Sequence, residues 1–581
     1  MNTLLIYPYP LYDRSEAHEE DISVVPIGIY YVAAVLKKHR HEVEVLNWHN
    51  INKSPQRIVE TLLEKKPEVI GFSILNANRW GGVEIARIAK KINPKVKIVF
   101  GGIGATFLWK HFLAHFPEID FVVMGEGEYA FLNLVKLMQK GNYNNLKDIK
   151  GIAFREGARI RRTKAAPFIR NLDELPIPAE YFDYQHVVSS RGCPGKCTFC
   201  GSPKFWGHKV RFRSPENFVR ELELLHSKGT SFFYFSDDTF TINKKRVIEI
   251  CRKILEKGLK ITWFAISRAD YINEEILSWM RKAGCIQISY GVESGSEKMR
   301  GLLGKPIRTD HIKQAFALTH GYGILARAYF IYGSPGETWE TIQETIDLIK
   351  EIRPFVCISY ILEIYPGTQL YSDFQKRFSV TDDTWLKKIE GICYFESDPD
   401  LSQDLILAFG ERLRGEIYAN LHLFADSLDL VDKEEFFEMH ADFCSRLGMT
   451  FSHGDYSKIE AIKEKEKAAE KLFKKSLDYF PDHRAYLGLG ILKQNEGEFR
   501  GAVNILLEGV RHFPGSEELN ICLGINHINL GEYREALGVL RTFEDSQQAS
   551  YHIARCHKAL GDRGKETEFL EKEIKAPRGE G

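Results

Sequence analysis

Three cysteines in one short loop are the residues of this sequence best suited to chemistry. Cys193, Cys197 and Cys200 follow the spacing C-x3-C-x2-C within residues 191–200. Thiolates bind iron–sulfur clusters, and a cubane cluster normally takes four of them. Three ligands would leave one iron open to a substrate, as an open coordination position does at other catalytic metals. The spacing therefore predicts a catalytic 4Fe-4S cluster with these cysteines as its metal ligands.

Two other interpretations of the loop stay open from the residues alone. A structural zinc site could combine the cysteines with His208, and the thiols could also be reduced and unligated. Zinc sites usually pair two C-x2-C motifs, and the x3 spacing at the end of a barrel strand fits them poorly. The iron–sulfur interpretation is therefore favoured.

The elements around the loop predict a partial (β/α)6 barrel that brings further groups to it. Strands are expected near residues 187–190, 231–236, 261–267, 285–291, 325–332 and 356–364. After the first, these strands run into polar or turn-forming groups: Asp237-Asp238, Arg268, Glu293-Ser294, Gly333-Ser334-Pro335-Gly336-Glu337 and Tyr365-Pro366-Gly367-Thr368. Because barrel active sites lie at the carboxyl ends of the strands, we expect these groups to meet the cysteine loop at one mouth.

A second α/β pattern precedes the barrel. Apolar strand-like runs at residues 3–6, 42–46, 69–74, 97–100 and 121–124 alternate with amphipathic stretches such as 27–39 and 83–92. Continuous apolar strands separated by helices predict a doubly wound parallel sheet. Turns rich in glycine follow the fourth and fifth strands, at Gly101-Gly102 and at Gly125-Glu126-Gly127. In such a sheet, ligands bind at the edge where these turns lie.

The cysteine loop and the barrel, over about residues 187–370, resemble the radical SAM superfamily. In that superfamily the open iron binds the amino and carboxylate groups of S-adenosylmethionine (SAM). An electron from the cluster then releases a 5′-deoxyadenosyl radical that abstracts hydrogen. Phe199 matches the aromatic residue that often precedes the last cysteine. Asp237 and Asp238 replace the glycine-rich turn that usually receives the methionine amino group, a departure that leaves their roles open.

The resemblance also implies roles for the later strand ends. Arg268 would pair with the SAM carboxylate, while Glu293 and Ser294 would take ribose hydroxyls or the amino group. The alternative for each is an ion pair or a cap at a strand end. Three further residues resemble the adenine-side turn of the superfamily, with an ordinary tight turn as the alternative: Gly333, Pro335 and Gly336.

The first α/β segment resembles cobalamin-binding domains. Those domains carry Ser-x-Leu after the third strand and Gly-Gly after the fourth, lining a slot for the nucleotide tail. Ser73 and Leu75, then Gly101 and Gly102, stand in these places. Glycine is needed there because the backbone must approach a bulky ligand closely. Residues 121–128, with Gly125, Glu126 and Gly127, also resemble the end of this domain in cobalamin-dependent radical SAM enzymes.

The motif Asp-x-His-x-x-Gly, which supplies a histidine to cobalt in the mutases, is absent. His18 lies five residues after Asp13 and has no glycine in the required place. Many radical SAM relatives lack the motif and bind cobalamin without a protein histidine on cobalt. We therefore expect His18 and His49 to be surface loop histidines, and the lower axial ligand of cobalt stays open.

The resemblance implies a cobalamin-dependent radical SAM enzyme that methylates an unactivated carbon, with a reductant such as flavodoxin or ferredoxin. The alternative within this cofactor set is a radical cyclase or rearrangement enzyme. A methylthiotransferase that modifies transfer RNA is disfavoured, because that family places three more cysteines in its first domain and none precedes Cys193 here. A repeat-based scaffold with a degenerate enzyme core is the remaining alternative, and the intact cysteine loop argues against it.

The last segment of the sequence is predicted to be a helical repeat. Leu489-Gly490 recurs at Leu523-Gly524, Phe499 at Tyr533 and Leu506 at Leu540, each at an offset of 34 residues. This offset is the period of tetratricopeptide repeats, which here would bind a protein partner, associate with a second copy of the chain or act as a structural buttress for the barrel. The predicted domains are a sheet domain (1–140), a connector with a hairpin near residue 156 (141–186), the barrel (187–400), a helical linker (401–455) and the repeats (456–575).

Composition and charge narrow the class of protein further. Lysine plus arginine and aspartate plus glutamate number 79 each, so no net charge indicates a nucleic-acid partner. No apolar run reaches the length of a membrane span, and the first residues have the pattern of a strand and loop, not of a signal peptide. The ten cysteines do not form a disulfide pattern. These features predict a cytoplasmic protein.

Overall fold

The computed structural model describes residues 1–12, 25–141 and 143–575. The chain forms two compact units. The first comprises Met1–Ala315, Arg327–Glu351 and Cys357–Leu413, and the second Phe316–Ala326, Ile352–Val356 and Arg414–Gly581. Within the described ranges, none of the helices is both long enough and apolar enough to cross a membrane.

The first unit opens with a seven-stranded sheet. Its strands are β1 (Thr3–Pro8), β2 (Val43–Trp48), β3 (Val69–Ser73), β4 (Lys97–Gly101), β5 (Phe121–Val123), β6 (Ile152–Glu156) and β7 (Arg159–Arg162). Its helices are α1 (Ile27–Lys38), α2 (Pro55–Lys65), α3 (Arg79–Ile92), α4 (Ile103–Phe107), α5 (Trp109–His115) and α6 (Glu128–Gln139). The strand order is β2-β1-β3-β4-β5-β6-β7.

Strands β1 to β5 pair in parallel, so the predicted doubly wound parallel sheet is confirmed. The sheet has a hydrophobic core on each of its two faces. Strand β3 contributes to both, because Ile70 and Phe72 pack on one face and Val69 packs on the other. Burial on both faces explains the continuous apolar runs. The predicted hairpin is also present, but β6 joins the edge of this sheet antiparallel to β5, where we had expected a connector.

The second sheet is the partial barrel. Its region contains β8 (His186–Val187), β9 (Ser190–Arg191), β10 (Arg211–Phe212), β11 (Phe232–Phe235), β12 (Thr262–Ser267), β13 (Cys285–Glu293), β14 (Leu325–Tyr332) and β15 (Val356–Ile361). The six barrel strands lie in the order β15-β14-β13-β12-β11-β8, so the predicted six-stranded partial barrel is confirmed. Strands β9 and β10 form a separate antiparallel pair.

Helices follow the barrel strands in turn. They are α7 (Ser202–Trp206), α8 (Pro215–Ser227), α9 (Lys244–Glu256), α10 (Glu274–Lys282), α11 (Glu297–Leu302), α12 (Thr309–Gly321) and α13 (Trp339–Ile352). Three of them begin at a side-chain cap, because Ser214, Asn243 and Asn273 each accept a hydrogen bond from the backbone N–H three residues on. Such caps satisfy N–H groups that a helix leaves unpaired at its first turn.

The chain after the barrel is mostly helical. It forms β16 (Glu363–Ile364), α14 (Gln369–Phe378), β17 (Ile392–Cys393), α15 (Gln403–Asp426), α16 (Phe437–Ser452), α17 (Lys465–Tyr479), α18 (His483–Asn495), α19 (Phe499–His512), α20 (Glu517–Asn529), α21 (Tyr533–Leu540), α22 (Gln547–Ala559) and α23 (Arg563–Lys575). The C-terminal helical region of the predicted fold class is therefore confirmed.

The 34-residue offset seen in the sequence also separates two points at which helices pack closely. A Cβ placed on Gly490 would lie 2.6 Å from Leu506, and one placed on Gly524 would lie 2.7 Å from Leu540. Both glycines are on the first helix of a pair and both leucines on the second. The glycines are therefore required because adjacent helices approach closely at these points.

We expect Gly524→Ala to lower the free energy of unfolding of the helical region by about 1–3 kcal/mol, because the new methyl group would overpack the buried Leu540. Gly538→Ala is the matched control: this helical glycine has no atom within 4 Å of its Cβ position, so alanine should stabilise α21 by about 0.5–1 kcal/mol. Urea unfolding followed by circular dichroism measures both. A destabilised Gly538→Ala, or an unaffected Gly524→Ala, would contradict the packing described.

Candidate functional site

The loop that carries the three cysteines lies between β9 and α7 and is held by backbone contacts. The N–H of Thr198 donates to the carbonyl of Leu303 at 2.9 Å, and the carbonyl of Thr198 accepts from the N–H of Leu370 at 3.0 Å. Gly304, at φ +68°, lies so close to the loop that a Cβ would be 2.6 Å from the carbonyl oxygen of Lys196. The loop is therefore fixed from two sides.

The three cysteine sulfurs are not drawn together as the ligands of a single ion would be. A tetrahedral zinc ion places its thiolates about 3.8 Å apart, as its Zn–S bond length requires. Among the described residues, the group whose ligand atoms all lie within 4.8 Å of one another consists of two histidines and an aspartate, not of these cysteines. A four-iron cluster separates its thiolates more widely, so the donor set fits such a cluster.

Burial acts on the protonation of the cysteines. It raises the pKa of the Cys200 thiol to about 11, and it also raises the pKa of Cys197. Deprotonation of these thiols therefore has to be driven by the positive charge of the metal that they bind.

Charged side chains from two strand ends and from the segment after α11 act on Cys197. Lys305 and Arg268 oppose the rise of the Cys197 pKa, and Glu293 adds to it. Glu293 pairs with Lys305 at 2.6 Å, and both side chains are buried. Arg268 donates to Asp270 at 2.9 and 3.0 Å. The structure thus brings Arg268 and Glu293 to the cysteine loop, as the barrel topology predicted.

Glu293 also has an unusual backbone. Its φ is +67°, in the left-handed region that a residue with a side chain rarely occupies. Such conformations persist where the surroundings force them, commonly at ligand sites. The conformation supports the position of Glu293 at the site.

The two aspartates after β11 have different surroundings. Asp237 is 1% exposed. It accepts hydrogen bonds from the N–H and the hydroxyl of Ser189 and from the hydroxyl of Ser190. Asp238 accepts from the hydroxyl of Ser202 at 2.7 Å. Desolvation raises the pKa of Asp238, and the neighbouring Asp237 adds to that rise. Asp237 fixes the strand before the cysteine loop, whereas Asp238 stays accessible.

The remaining predicted residues lie in turns. Ser294 is 1% exposed, and its hydroxyl contacts Thr345 at 3.3 Å and accepts from the N–H of Ser296. Gly333 and Gly336 have φ of +76° and +73°, and Pro335 lies between them. The carboxylate of Glu337 accepts from the N–H groups of Gly333 and Ser334. Phe199 is half-buried in the cysteine loop. Roles for these residues in binding SAM stay predictions.

A cavity of about 340 Å³ lies between the carboxyl edge of the first sheet and the cysteine-loop region. The sheet contributes all seven residues predicted from the resemblance to cobalamin-binding domains: Ser73, Leu75, Gly101, Gly102, Gly125, Glu126 and Gly127. The barrel side contributes Val188, Ser190, Arg191, Phe205, Trp206, Ser236 and Asp238. The cavity therefore borders both the sheet domain and the barrel, and Asp238 lies on its barrel side.

Glycine keeps the sheet edge of this cavity open. A Cβ on Gly102, at φ +90°, would lie 2.9 Å from the carbonyl oxygen of Ile74. One on Gly104 would lie 2.8 Å from the backbone of Leu75. These two glycines let the turn after β4 pack against the backbone that follows β3. Gly101 and Gly125 line the cavity itself, and a Cβ on either would meet no described atom nearer than 3.8 Å, so a large ligand can approach the backbone there and the residues present fit cobalamin.

Histidines are not part of this cavity in the portion of the chain that the structure describes. His49, predicted to be a surface loop residue, is instead buried and stacks on Tyr7, with ring centroids 6.2 Å apart. It lies outside the cavity, so it is not placed as a ligand. His18 and Asp13 lie outside the described residues.

Arg191 is a functional residue that the sequence reasoning missed. It directly precedes the Gly192-Cys193 turn, and it is buried. Its guanidinium pairs with Glu126 at 2.6 Å and with Glu128 at 2.5 Å. It therefore joins the turn after β5 to the cysteine loop. Burial acts to lower the pKa of Arg191, but Glu128 and Glu126 outweigh it and raise the pKa above its ordinary value.

Neighbouring groups complete this network. The Arg191 guanidinium lies 5.1 Å from the ring centre of Tyr31 and 5.2 Å from that of Trp206. Arg211 donates to both oxygens of Glu126 at 2.8 Å. Glu126, predicted as a cofactor contact, thus has its carboxylate occupied by arginines. The adjacency of Arg191 to the cysteines was visible in the sequence, but its partners about 65 residues away were not.

Comparison with known proteins agrees with both halves of this site. The Radical SAM superfamily model matches residues 187–349, and the B12 binding domain model matches residues 22–135. An uncharacterised methyltransferase of Pyrococcus horikoshii is 34% identical over 358 residues, covering 60% of this chain and 77% of that protein. The anaerobic magnesium-protoporphyrin IX monomethyl ester cyclase of Cereibacter sphaeroides is 29% identical over 401 residues, covering 65% and 64%.

Solved structures share the fold. The radical S-adenosylmethionine methyltransferase TsrM from Kitasatospora setae superimposes with a TM-score of 0.56 at 17% identity, over 64% of this chain and 76% of that one. The cobalamin-dependent S-adenosylmethionine radical enzyme OxsB superimposes with a TM-score of 0.53 at 18% identity, over 99% and 84%. Together with the family models, these likenesses identify a 4Fe-4S cluster, SAM and cobalamin as the cofactors.

We expect Arg191→Gln to lower the free energy of unfolding by about 3–5 kcal/mol, because it leaves Glu126 and Glu128 buried with less compensation. The variant should also retain less cobalamin after reconstitution. Arg161→Gln, which removes an exposed partner of Glu156, is the matched control and should change little. Urea unfolding followed by tryptophan fluorescence measures stability. Equal effects of the two substitutions would contradict the role assigned to Arg191.

We expect Gly102→Val to weaken cobalamin binding, because its side chain would collide with the backbone at Ile74 and displace the turn that borders the cavity. Gly141→Val is the control: Gly141 has φ of +63°, no atom within 4 Å of its Cβ position, and no place in the cavity. Gly141→Val should therefore have a similar backbone strain at a position outside the cavity. Equilibrium binding after anaerobic reconstitution gives the two dissociation constants, and unchanged binding by Gly102→Val would refute the assignment.

Proposed function

Because the chain belongs to the radical SAM superfamily and carries a B12-binding domain, we propose that it is a methyltransferase acting on an unactivated carbon of its substrate. The observation that carries the proposal is the cavity shared by the carboxyl edge of the first sheet and the cysteine-loop region. One chain thus has a site for each of the two cofactors that the reaction needs, and the sites adjoin at Asp238.

Bound at these sites, the cluster and SAM supply a hydrogen-abstracting radical, and cobalamin supplies the methyl group. Cys193, Cys197 and Cys200 hold the cluster and leave one iron for SAM. In this proposal, Arg268 faces the SAM carboxylate and Glu293 faces its amino or ribose groups. The action of both charges on the pKa of Cys197 supports these two roles.

The turn at residues 333–337 serves the adenine in this proposal. Its two N–H groups are held by Glu337, whose pKa burial raises to about 7. The side chain of Glu337 therefore fixes the shape of this turn. Apolar residues such as Leu5, Val99 and Phe131 surround the cobalamin side of the site and exclude water from it. Exclusion of water protects reactive species from side reactions.

A second candidate function is radical cyclisation or rearrangement. The relative from Cereibacter sphaeroides, an anaerobic cyclase, favours it, because it is nearly as similar to this chain as the methyltransferase from Pyrococcus horikoshii. The same residues would hold the same cofactors in both reactions. The two functions differ in the fate of the SAM methyl group, and this difference decides the experiment below.

We also propose roles for partners. A one-electron donor such as flavodoxin or ferredoxin would reduce the cluster in the cytoplasm, a compartment that keeps cysteine ligands reduced. The C-terminal helices would act as tetratricopeptide-like repeats that bind a protein partner or a second copy of the chain. The 34-residue offset of close packing at Gly490 and Gly524 supports this repeat, and exposed apolar side chains such as Leu507 and Tyr551 offer contact area.

Incubation with methyl-deuterated SAM and the substrate tests the proposal. A methyltransferase should convert one SAM molecule to 5′-deoxyadenosine and a second to S-adenosylhomocysteine, with deuterium carried into the product. Mass spectrometry of the product and chromatography of both coproducts measure these outcomes. Cys200→Ala is the control and should form neither product nor 5′-deoxyadenosine, because it removes a cluster ligand.

Two outcomes would contradict this proposal. Turnover that gives 5′-deoxyadenosine with an unlabelled, cyclised or isomerised product would favour the second candidate. Full activity of Cys200→Ala would reject the cluster assignment itself. Assays without substrate do not serve, because radical SAM enzymes cleave SAM without productive coupling.

A further inference from the structure

Two histidines and an aspartate form a second group of ligand-type side chains, away from the cavity and the cysteines. His111 and His115 lie on α5, and Asp383 lies in a short 3-10 helix, Asp382–Leu386, beyond the barrel. One ligand atom from each lies within 4.8 Å of the other two. His115 Nε2 lies 2.8 Å from Asp383 Oδ1. We infer that His111, His115 and Asp383 form a zinc site, which is independent of the proposed function.

The spacing of the histidines follows from the helix. Residues four apart lie on the same face, one turn above the other, so His111 and His115 point to the same side of α5. Their ring centroids are 5.0 Å apart. A pair of imidazoles at this spacing is a common arrangement of zinc ligands on helices.

His111 is the observation that points to a ligand. It is 3% exposed, and neither of its ring nitrogens has a hydrogen-bond partner among the residues that the structure describes. A buried polar atom without a partner is destabilising, so such atoms are rare in native proteins. Burial lowers the pKa of His111 to about 4, and the neutral ring offers a lone pair at physiological pH. A bound metal ion would satisfy that lone pair.

The third ligand is held in place by the packing of its short helix. The buried Trp385 donates from its indole N–H to the hydroxyl of Tyr371 at 2.8 Å, and that hydroxyl donates to Asp382 at 2.8 Å. Asp383 therefore follows a fixed residue, and its own carboxylate stays at the surface. The side chains of Asp383 and His115 are 64% and 32% exposed, so an ion can enter from solvent.

The positive charge of Arg79 acts on this site. The charge of Arg79 contributes to the lowered pKa of His111. Its guanidinium is committed elsewhere, because it donates to backbone carbonyls of Asn76, Lys387 and Ile389 and lies 5.1 Å from the ring centre of Trp385. Asp383 supplies the negative charge that a divalent ion needs, so Arg79 does not have to move for the ion to bind.

The donor set selects the metal. Two imidazole nitrogens and one carboxylate oxygen are typical zinc ligands, and three protein ligands leave a fourth position for water. Bound zinc would join α5 of the sheet domain to the segment after the barrel. The site would therefore stabilise this junction, since its residues line neither the cavity nor the cysteine loop.

The test uses the holoenzyme with its cluster and cobalamin, treated with a chelator, dialysed and titrated with Zn²⁺ alone. We expect one zinc ion per chain, with nitrogen and oxygen ligands at about 2.0–2.1 Å in its X-ray absorption spectrum. His115→Ala and Asp383→Asn should each weaken zinc binding by about tenfold or more. Zinc should raise the melting temperature of the wild type and not that of these variants.

Two controls match these surface variants. Asp310→Asn removes an exposed carboxylate of α12, and His39→Ala removes an exposed histidine that follows α1. Both should bind zinc as the wild type does. The two ligand variants change exposed side chains, so they should fold, which circular dichroism without zinc checks. Three results would each overturn the inference. These are stoichiometric zinc bound through sulfur, no stoichiometric zinc in the wild type, or a zinc affinity of His115→Ala and Asp383→Asn equal to that of the wild type.

Discussion

The buried ion pair of Arg191 with Glu126 and Glu128 is the interaction on which the relation of the two cofactor sites depends. Charges removed from water are stable only when they are paired and hydrogen-bonded, so each of these groups restricts the positions of the others. Arg191 begins the cysteine loop, and the two glutamates lie in and just after the turn that follows β5. The ion pair therefore fixes the start of the cysteine loop against the edge of the cavity, which all three residues line.

The site divides into a charged half and an apolar half. Lys305, Glu293 and Arg268 surround the cysteines, where a zwitterionic ligand needs both signs of charge. The cavity beside them is lined mainly by apolar side chains and glycine backbone, which leaves room for a large ligand close to the main chain. Asp238 lies at the border, and its raised pKa indicates that its surroundings disfavour a charge there. The structure thus places a charged region and a mainly apolar cavity side by side.

Local patterns predicted most of the fold and part of the site. Alternating strands and helices and the cysteine spacing are written in contiguous residues, and the fold and family inferred from them are confirmed. The 34-residue offset is also local, but the tetratricopeptide repeat inferred from it stays a prediction. The pairs of Arg191 with Glu126 and of Lys305 with Glu293 were not predicted, because nothing in the local sequence identifies a distant partner. His49 was expected at the surface and is buried, since its stacking on Tyr7 depends on tertiary contacts. The hairpin was expected, but its place in a sheet is a long-range pairing.

The hairpin on β5 has a consequence for the exchange of modules between related proteins. Strand β6 covers the outer edge of β5, with Phe154 opposite Phe121. A recombination event at residue 140 would separate them and leave β5 as a bare edge, whose unpaired N–H and C=O groups are a template for aggregation. The smallest segment that can be inherited intact therefore extends through Arg162, so the evolutionary unit is longer than the ligand-binding fold it contains.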